Sequence, residues 1–129
     1  MVDITPRLPN GRQLIERYGE HKFLISGATY ETPVLVCKSK TYPQPNLSFQ
    51  ELLETRFDEL IVNIQGCEFG SILLIGTGST SMPLEARYKH RFREKGVSVD
   101  VMDTGAACRT FNILQTEDRV VSAILMPVD

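Results

Sequence analysis

The chain has 129 residues, of which 42% are apolar and 23% charged, with a formal net charge of −2. This length fits one domain whose core needs no staple, and the balance excludes a disordered or strongly basic chain and leaves no electrostatic reason to expect nucleic acid as a partner. The three cysteines Cys37, Cys67 and Cys108 have no CxxC spacing and the two histidines His21 and His90 stand far apart, so neither a disulfide framework nor a metal centre is expected, no cofactor is implied, and a reducing, cytoplasmic setting fits.

Residues 1–12 hold Pro6, Pro9 and the turn pair Asn10-Gly11, and read as the N-terminal arm of a single domain spanning 1–129. This segment has no apolar core of signal-peptide length. Leu14 to Tyr18 is a strand candidate. "KFLISG" and "ETPVLVCKSK" are apolar, β-branched runs around a turn near Gly27-Ala28-Thr29, with Pro33 near the start of the second run. They read as an antiparallel hairpin, and "TYPQPN", with two prolines, as a loop.

The first helix is announced by Ser48 and Glu51, an S-x-x-E capping box in which each side chain satisfies a free amide at the helix start. Phe49, Leu52, Leu53, Phe57, Leu60, Ile61 and Ile64 then recur at three- and four-residue steps as one apolar stripe. Gly66 stands where a left-handed cap would end the helix.

Beyond it the pattern alternates. "SILLI" is a continuous apolar run, as in a strand covered on both faces. "GTGSTS" is a turn, and Pro83 suits the first turn of a helix whose apolar face is Leu84, Tyr88 and Phe92 and which stops at Gly96. "VSVDVM" is a strand, "DTGAACRTFNIL" begins a helix and "RVVSAILM" is the closing strand. Strand, helix, strand, helix, strand predicts right-handed parallel crossovers. The expected fold is α/β: one mixed sheet with an N-terminal β-hairpin half and a C-terminal βαβαβ half. The longest apolar runs, such as Ile72–Ile75, fall far short of the ~20 residues a membrane helix needs, and the strands are too few for a membrane barrel, so no membrane insertion is expected.

Ligands of open parallel sheets bind beyond the carboxyl ends of the strands. Two loops leave such ends, Gly76–Ser81 and Asp103–Arg109, and each leads into a helix whose free amides favour an anion. If their strands are neighbours, Gly76, Thr77, Gly78, Asp103 and Thr104 line one crevice and Arg109 adds a fork of donors. Gly76 and Gly78 match the first two glycines of GxGxxG, but Ser81 replaces the third, so the plainer reading is a tight turn with a hydroxyl cap. Cys108, in the first turn of a helix beside Arg109, could carry a stabilised thiolate. Against that, no histidine is near in sequence and small residues also let a helix approach a sheet closely. Asp103 and Thr104 are equally good helix caps, and Arg109 equally serves a salt bridge. The basic run "ARYKHRFREK" shares its helix with the Leu84, Tyr88, Phe92 stripe and reads as a solvated face.

"LLIGTG", "GVSVDVMDTGAACRTFNIL" and "RVVSAIL", with "KFLISGATYETPVLV" upstream, together resemble a widespread family of small domains of uncertain function that includes mitochondrial complex I assembly factor 3. The likeness spans about Leu14 to Met126, and the form is similar to that of α-proteobacterial members. The resemblance implies a three-layer β/β/α domain with a mixed sheet. It implies a non-catalytic role, since mitochondrial relatives help to assemble a respiratory membrane complex, while bacterial relatives are mostly unassigned and some are encoded near protein-export subunits. Gly76, Gly78, Asp103, Thr104, Cys108, Arg109 and Asn112 match the family motif, and the resemblance carries no catalytic residue with them. Members often have tyrosine where Phe111 stands here, so a hydroxyl is lost.

The leading reading is therefore a non-catalytic binding or assembly-factor-like domain with a protein partner such as a membrane-complex subunit. Two alternatives stay open: a small anion or nucleotide held by the Gly76–Ser81 and Asp103–Arg109 loops, with Asn112 alongside, and a thiol enzyme or redox sensor using Cys108. Exposed sheet edges leave a homodimer open.

Overall fold

The computed structural model describes residues 1–4, 11–67 and 72–129, with the side chains of 66 and 67 left out. In chain order its elements are β1 (Val2–Asp3), β2 (Ile15–Gly19), β3 (Lys22–Ile25), β4 (Ala28–Tyr30), β5 (Val34–Val36), β6 (Thr41–Pro43), α1 (Phe49–Cys67), β7 (Ile72–Gly76), α2 (Ala86–Glu94), β8 (Ser98–Met102), α3 (Thr104–Thr116) and β9 (Val121–Leu125). The first four strands form an antiparallel sheet in the order β1-β2-β3-β4, and the other five a mixed sheet in the order β6-β5-β9-β7-β8. The expected α/β class and the β/β/α layering stand.

The division into two sheets differs from the single mixed sheet expected from the sequence. "KFLI" pairs with Ala28–Tyr30 rather than with the "PVLV" run. Ser26 and Gly27 both adopt positive φ, 46° and 85°, which is the two-residue turn whose twist suits a tight hairpin. The hairpin therefore closes too soon to use Val34–Val36, and that strand crosses to the five-stranded sheet. There it pairs antiparallel with both β6 and β9. Thr41–Pro43, expected as loop, is an edge strand, a place in a sheet where proline need cost no ladder bond. Pro6, Pro9, Asn10 and Ser71 lie outside the described residues.

Within the five-stranded sheet, alternate residues feed two cores. Leu35, Leu73, Ile75 and Ile124 face α1 and α2. Val34, Val36, Leu74, Ala123 and Leu125 face α3 and the four-stranded sheet, meeting Ile15, Phe23, Ile25 and Phe111. A strand buried on both sides has no polar alternation, hence "ILLI". Helix α1 starts as expected: the Glu51 amide donates to Ser48 Oγ at 3.2 Å and the Ser48 amide to Glu51 Oε1 at 3.1 Å. Its stripe, Phe49 through Ile64, is at most 5% exposed. At about 1.5–3 kcal/mol per large side chain, that burial far outweighs the cap, which is worth about 1 kcal/mol.

Two helix boundaries differ from the expectation. Helix α1 runs through Gly66 to Cys67 instead of capping at Gly66. Helix α2 starts at Ala86, with Glu85 in the N-cap position, so Pro83 precedes the helix rather than opening it. Leu84, Tyr88 and Phe92 are buried together as expected.

Candidate functional site

Strands β7 and β8 are parallel neighbours with Gly76 opposite Met102, so the loops that leave them emerge side by side at one rim. A shallow groove of about 240 Å³ lies there, lined by residues of both loops and by Tyr18, Val128 and Asp129. Gly76, Thr77, Gly78, Asp103 and Thr104 come together at this rim.

Their polar groups are turned on each other. The Thr77 amide donates to the Met102 carbonyl at 3.0 Å. The Thr77 hydroxyl donates to the Thr80 carbonyl at 2.8 Å and accepts from the Met82 amide at 2.9 Å, closing the turn. The Gly78 amide donates to Thr104 Oγ1 at 2.9 Å, and that hydroxyl donates in turn to the Met126 carbonyl at 2.7 Å. In return the Thr104 amide donates to the Gly78 carbonyl at 2.8 Å. Asp103 is the N-cap of α3, its Oδ1 accepting from the Ala106 amide at 2.9 Å. Gly76 has a packing reason: a Cβ there would stand 2.8 Å from Thr104 Cα. The strand end thus sits against the first turn of α3 with no room for a side chain.

Of the other three predicted residues, Cys108 and Asn112 turn away from the rim and Arg109 stands at its border, beside Tyr18 and outside the groove lining. Cys108 is fully buried between α3 and the sheet. Burial pushes its thiol pKa up to about 12; Arg109 pulls it down, and Asp103 pushes it further up. Helix α3 begins at Thr104, so Cys108 is its fifth residue and lies past the first turn expected from the sequence, and desolvation governs the thiol. Arg109 is exposed, and its guanidinium donates to the Tyr18 hydroxyl at 3.1 Å. Asn112 faces the other way along α3: its Nδ2 donates to the Ile15 carbonyl at 2.8 Å and its Oδ1 accepts from the Ile15 amide at 3.0 Å. The side-chain amide thereby acts as a strand partner for Ile15, where the β2–β3 register shifts.

Sequence reasoning missed Tyr18 and Gln115. Gln115 is fully buried and its Nε2 donates to the Gln13 and Lys38 carbonyls at 2.9 and 3.0 Å. A signal was available, because Thr104, Cys108, Phe111, Asn112 and Gln115 follow three- and four-residue steps and so share the buried face of one helix. No cluster of potential metal ligands occurs among the described residues, and no helix there is long and apolar enough to cross a membrane.

Residues 15–126 match the model of a family described as "Protein of unknown function (DUF498/DUF598)". The chain belongs to the DUF498/DUF598 family. One relative is the NADH dehydrogenase [ubiquinone] 1 alpha subcomplex assembly factor 3 of Xenopus tropicalis, 33% identical over 88% of this chain and 60% of that protein. The chain thus spans about 60% of the length of this curated relative and of its human and bovine counterparts. A solved structure described as an outer membrane protein from Bartonella henselae is 31% identical, with a TM-score of 0.78 over 92% of this chain and 98% of that one. The Mth938-like domain of Bordetella pertussis, 18% identical, shares the fold with a TM-score of 0.77 over 98% of this chain and 92% of that chain. Gly76, Gly78 and Thr104, on which the sequence resemblance partly rests, build the β7–α3 junction.

Proposed function

We propose that this chain is a non-catalytic domain that holds a protein partner during assembly of a membrane complex, working in the cytoplasm. The observation that carries this reading is the reciprocal pairing of Gly78 with Thr104. It occupies the two amides that would have to converge on a phosphate or carboxylate, so the motif acts as a structural junction. Two further features support it. The Cys108 thiol is buried and neutral at physiological pH, which removes the nucleophile a thiol enzyme needs. A relative 33% identical over most of this chain is named as an assembly factor for a respiratory enzyme.

The anion reading has Arg109 in its favour, since its exposed guanidinium reaches the hydroxyl of Tyr18, a residue that lines the groove, although Arg109 itself does not line it. It has Asp103 and Asp129 against it, since both line the same groove and repel an anion.

The test is affinity capture by the tagged full chain from a detergent-solubilised lysate of its own host. The expected result is repeated enrichment of one subunit of a membrane complex, with no enzymatic turnover on a metabolite panel. Replicate captures that return nothing above background would defeat the reading.

A further inference from the structure

Strand β8 forms one edge of the five-stranded sheet, with β7 on one side and, among the described residues, no strand on the other. Its Met102 carbonyl accepts from the Thr77 amide, on the β7 side. Backbone groups alternate sides along a strand, so Asp100 and Ser98 also face β7, while the amides and carbonyls of Val99 and Val101 face outward. Among the described residues no hydrogen bond from outside the ladder reaches them.

Alongside this open edge runs a groove of about 400 Å³ between α2 and β8, lined by Lys89, Arg93, Gly96, Val97, Ser98 and Val99. The charges of α2 divide by direction. Arg87 pairs with Glu85 and Glu54, Arg91 with Asp58, and His90 stands 2.7 Å from Glu94. Lys89 and Arg93, the two cations of the groove, have no ion pair among the described residues. An unpaired strand edge and an unneutralised pair of cations therefore lie side by side.

We propose that the β8 edge with Lys89 and Arg93 is a docking site for an acidic, extended peptide segment of a partner protein, which adds as a sixth strand. The inference rests on the protein-binding reading above and names the surface and the chemistry of the partner. Main-chain bonds to Val99 and Val101 supply strand addition. The charge on α2 sets which sequence is accepted: side chains of the added strand alternate between faces, and those on the α2 face meet Lys89 and Arg93, so acids belong there. The opposite face carries Ser98 and Asp100, both exposed, and Asp100 rejects acids on that side. The preferred segment therefore alternates acidic with neutral or basic residues.

The probe is an eight-residue peptide alternating glutamate and threonine, titrated into the isotope-labelled full chain, with a lysine and threonine peptide as control. The glutamate peptide is expected to shift and protect the Val99 and Val101 amides, with affinity falling about threefold or more as salt rises from about 0.05 to about 0.3 M. The double variant Lys89→Glu/Arg93→Glu, which alters only exposed side chains, is expected to lose the glutamate peptide and accept the lysine peptide. Four results would overturn the proposal: no change at Val99 and Val101 at millimolar peptide, equal binding of both peptides, stronger shifts from single-stranded RNA, or shifts that depend on protein concentration without peptide, which would make a second copy the occupant. Undiminished partner capture by the double variant would also overturn this surface while leaving the protein-binding function intact. A wild-type chain that captures nothing would instead strike at that function.

Discussion

Gly78 and Thr104 hold each other by two backbone-linked hydrogen bonds, one in each direction, at 2.9 and 2.8 Å. Through the Thr104 hydroxyl the pair is also tied to Met126, beyond the closing strand β9. Three segments separated in sequence, the β7 turn, the α3 start and the β9 exit, are thus joined at one buried side chain. Gly78 and Thr104 keep the β7 turn, the α3 start and the β9 exit in register.

Replacing Thr104 tests that junction. Thr104→Ala leaves the Gly78 amide and the Met126 carbonyl without their partner. With each unmet group at about 1 kcal/mol or more, the expected loss is roughly 2–3 kcal/mol, or a fall in Tm of roughly 5–10 °C. Thr104→Ser keeps the hydroxyl and should lose less than half as much. Differential scanning calorimetry of both variants distinguishes a hydrogen-bonding role from a mere space-filling one.

Gly76→Ala should destabilise by about 2–3 kcal/mol in urea unfolding, because the added methyl stands 2.8 Å from Thr104 Cα. The nearest obstruction is backbone, so trimming the neighbouring Ala107 to glycine in a double variant should not restore stability.

Asn112→Ala should cost about 3 kcal/mol, since it strips both backbone groups of the fully buried Ile15 of their partners. Asn112→Asp keeps the acceptor but sets a carboxylate oxygen against the Ile15 carbonyl, so it should not rescue. Amide hydrogen exchange at Ile15 and Tyr18 would report the loosening of β2 directly.

The Cys108 thiol has its pKa raised from 9.0 to about 12 in the folded chain. Above pH 9 the unfolded chain releases this proton while the folded chain keeps it, so the folded state binds more protons and stability falls as pH rises. The contribution is fully present below about pH 9 and is lost between there and about pH 12, with a limiting slope of about 1.4 kcal/mol per pH unit. Cys108→Ala removes this component, so the difference between variant and wild-type stability should shrink over that range. In the native chain at pH 8, iodoacetamide should leave Cys108 unlabelled until denaturant is added. Rapid native labelling at this position would revive the thiol-enzyme reading.

Inorganic phosphate at about 10 mM should raise Tm by no more than about 1–2 °C, as expected for a dissociation constant at or above that concentration. A shift well beyond this, abolished by Arg109→Ala, would show that the rim groove binds anions despite its carboxylates and its occupied amides.

The features legible in the chain alone are those whose cause is local. Ser48 and Glu51 close their box across one helical turn, and the Phe49 to Ile64 stripe needs only the period of the helix, so α1 could be read directly. The parallel half was legible for a similar reason, since apolar runs separated by helices admit few connections. Strand partnership is different: whether Val34–Val36 joins the β3 hairpin or the other sheet depends on how early the Ser26-Gly27 turn closes and on what β9 offers from the far end of the chain. No local pattern contains that information. The fate of Cys108 is likewise a tertiary matter. The sequence pattern points to a first-turn thiol beside Arg109, but α3 begins at Thr104 and packs Cys108 one turn in against the sheet, where desolvation of a thiolate outweighs one exposed neighbouring charge. The GTG and DT segments named the rim, but only the parallel register of β7 and β8 brought Gly78 against Thr104 and turned two potential anion donors toward each other.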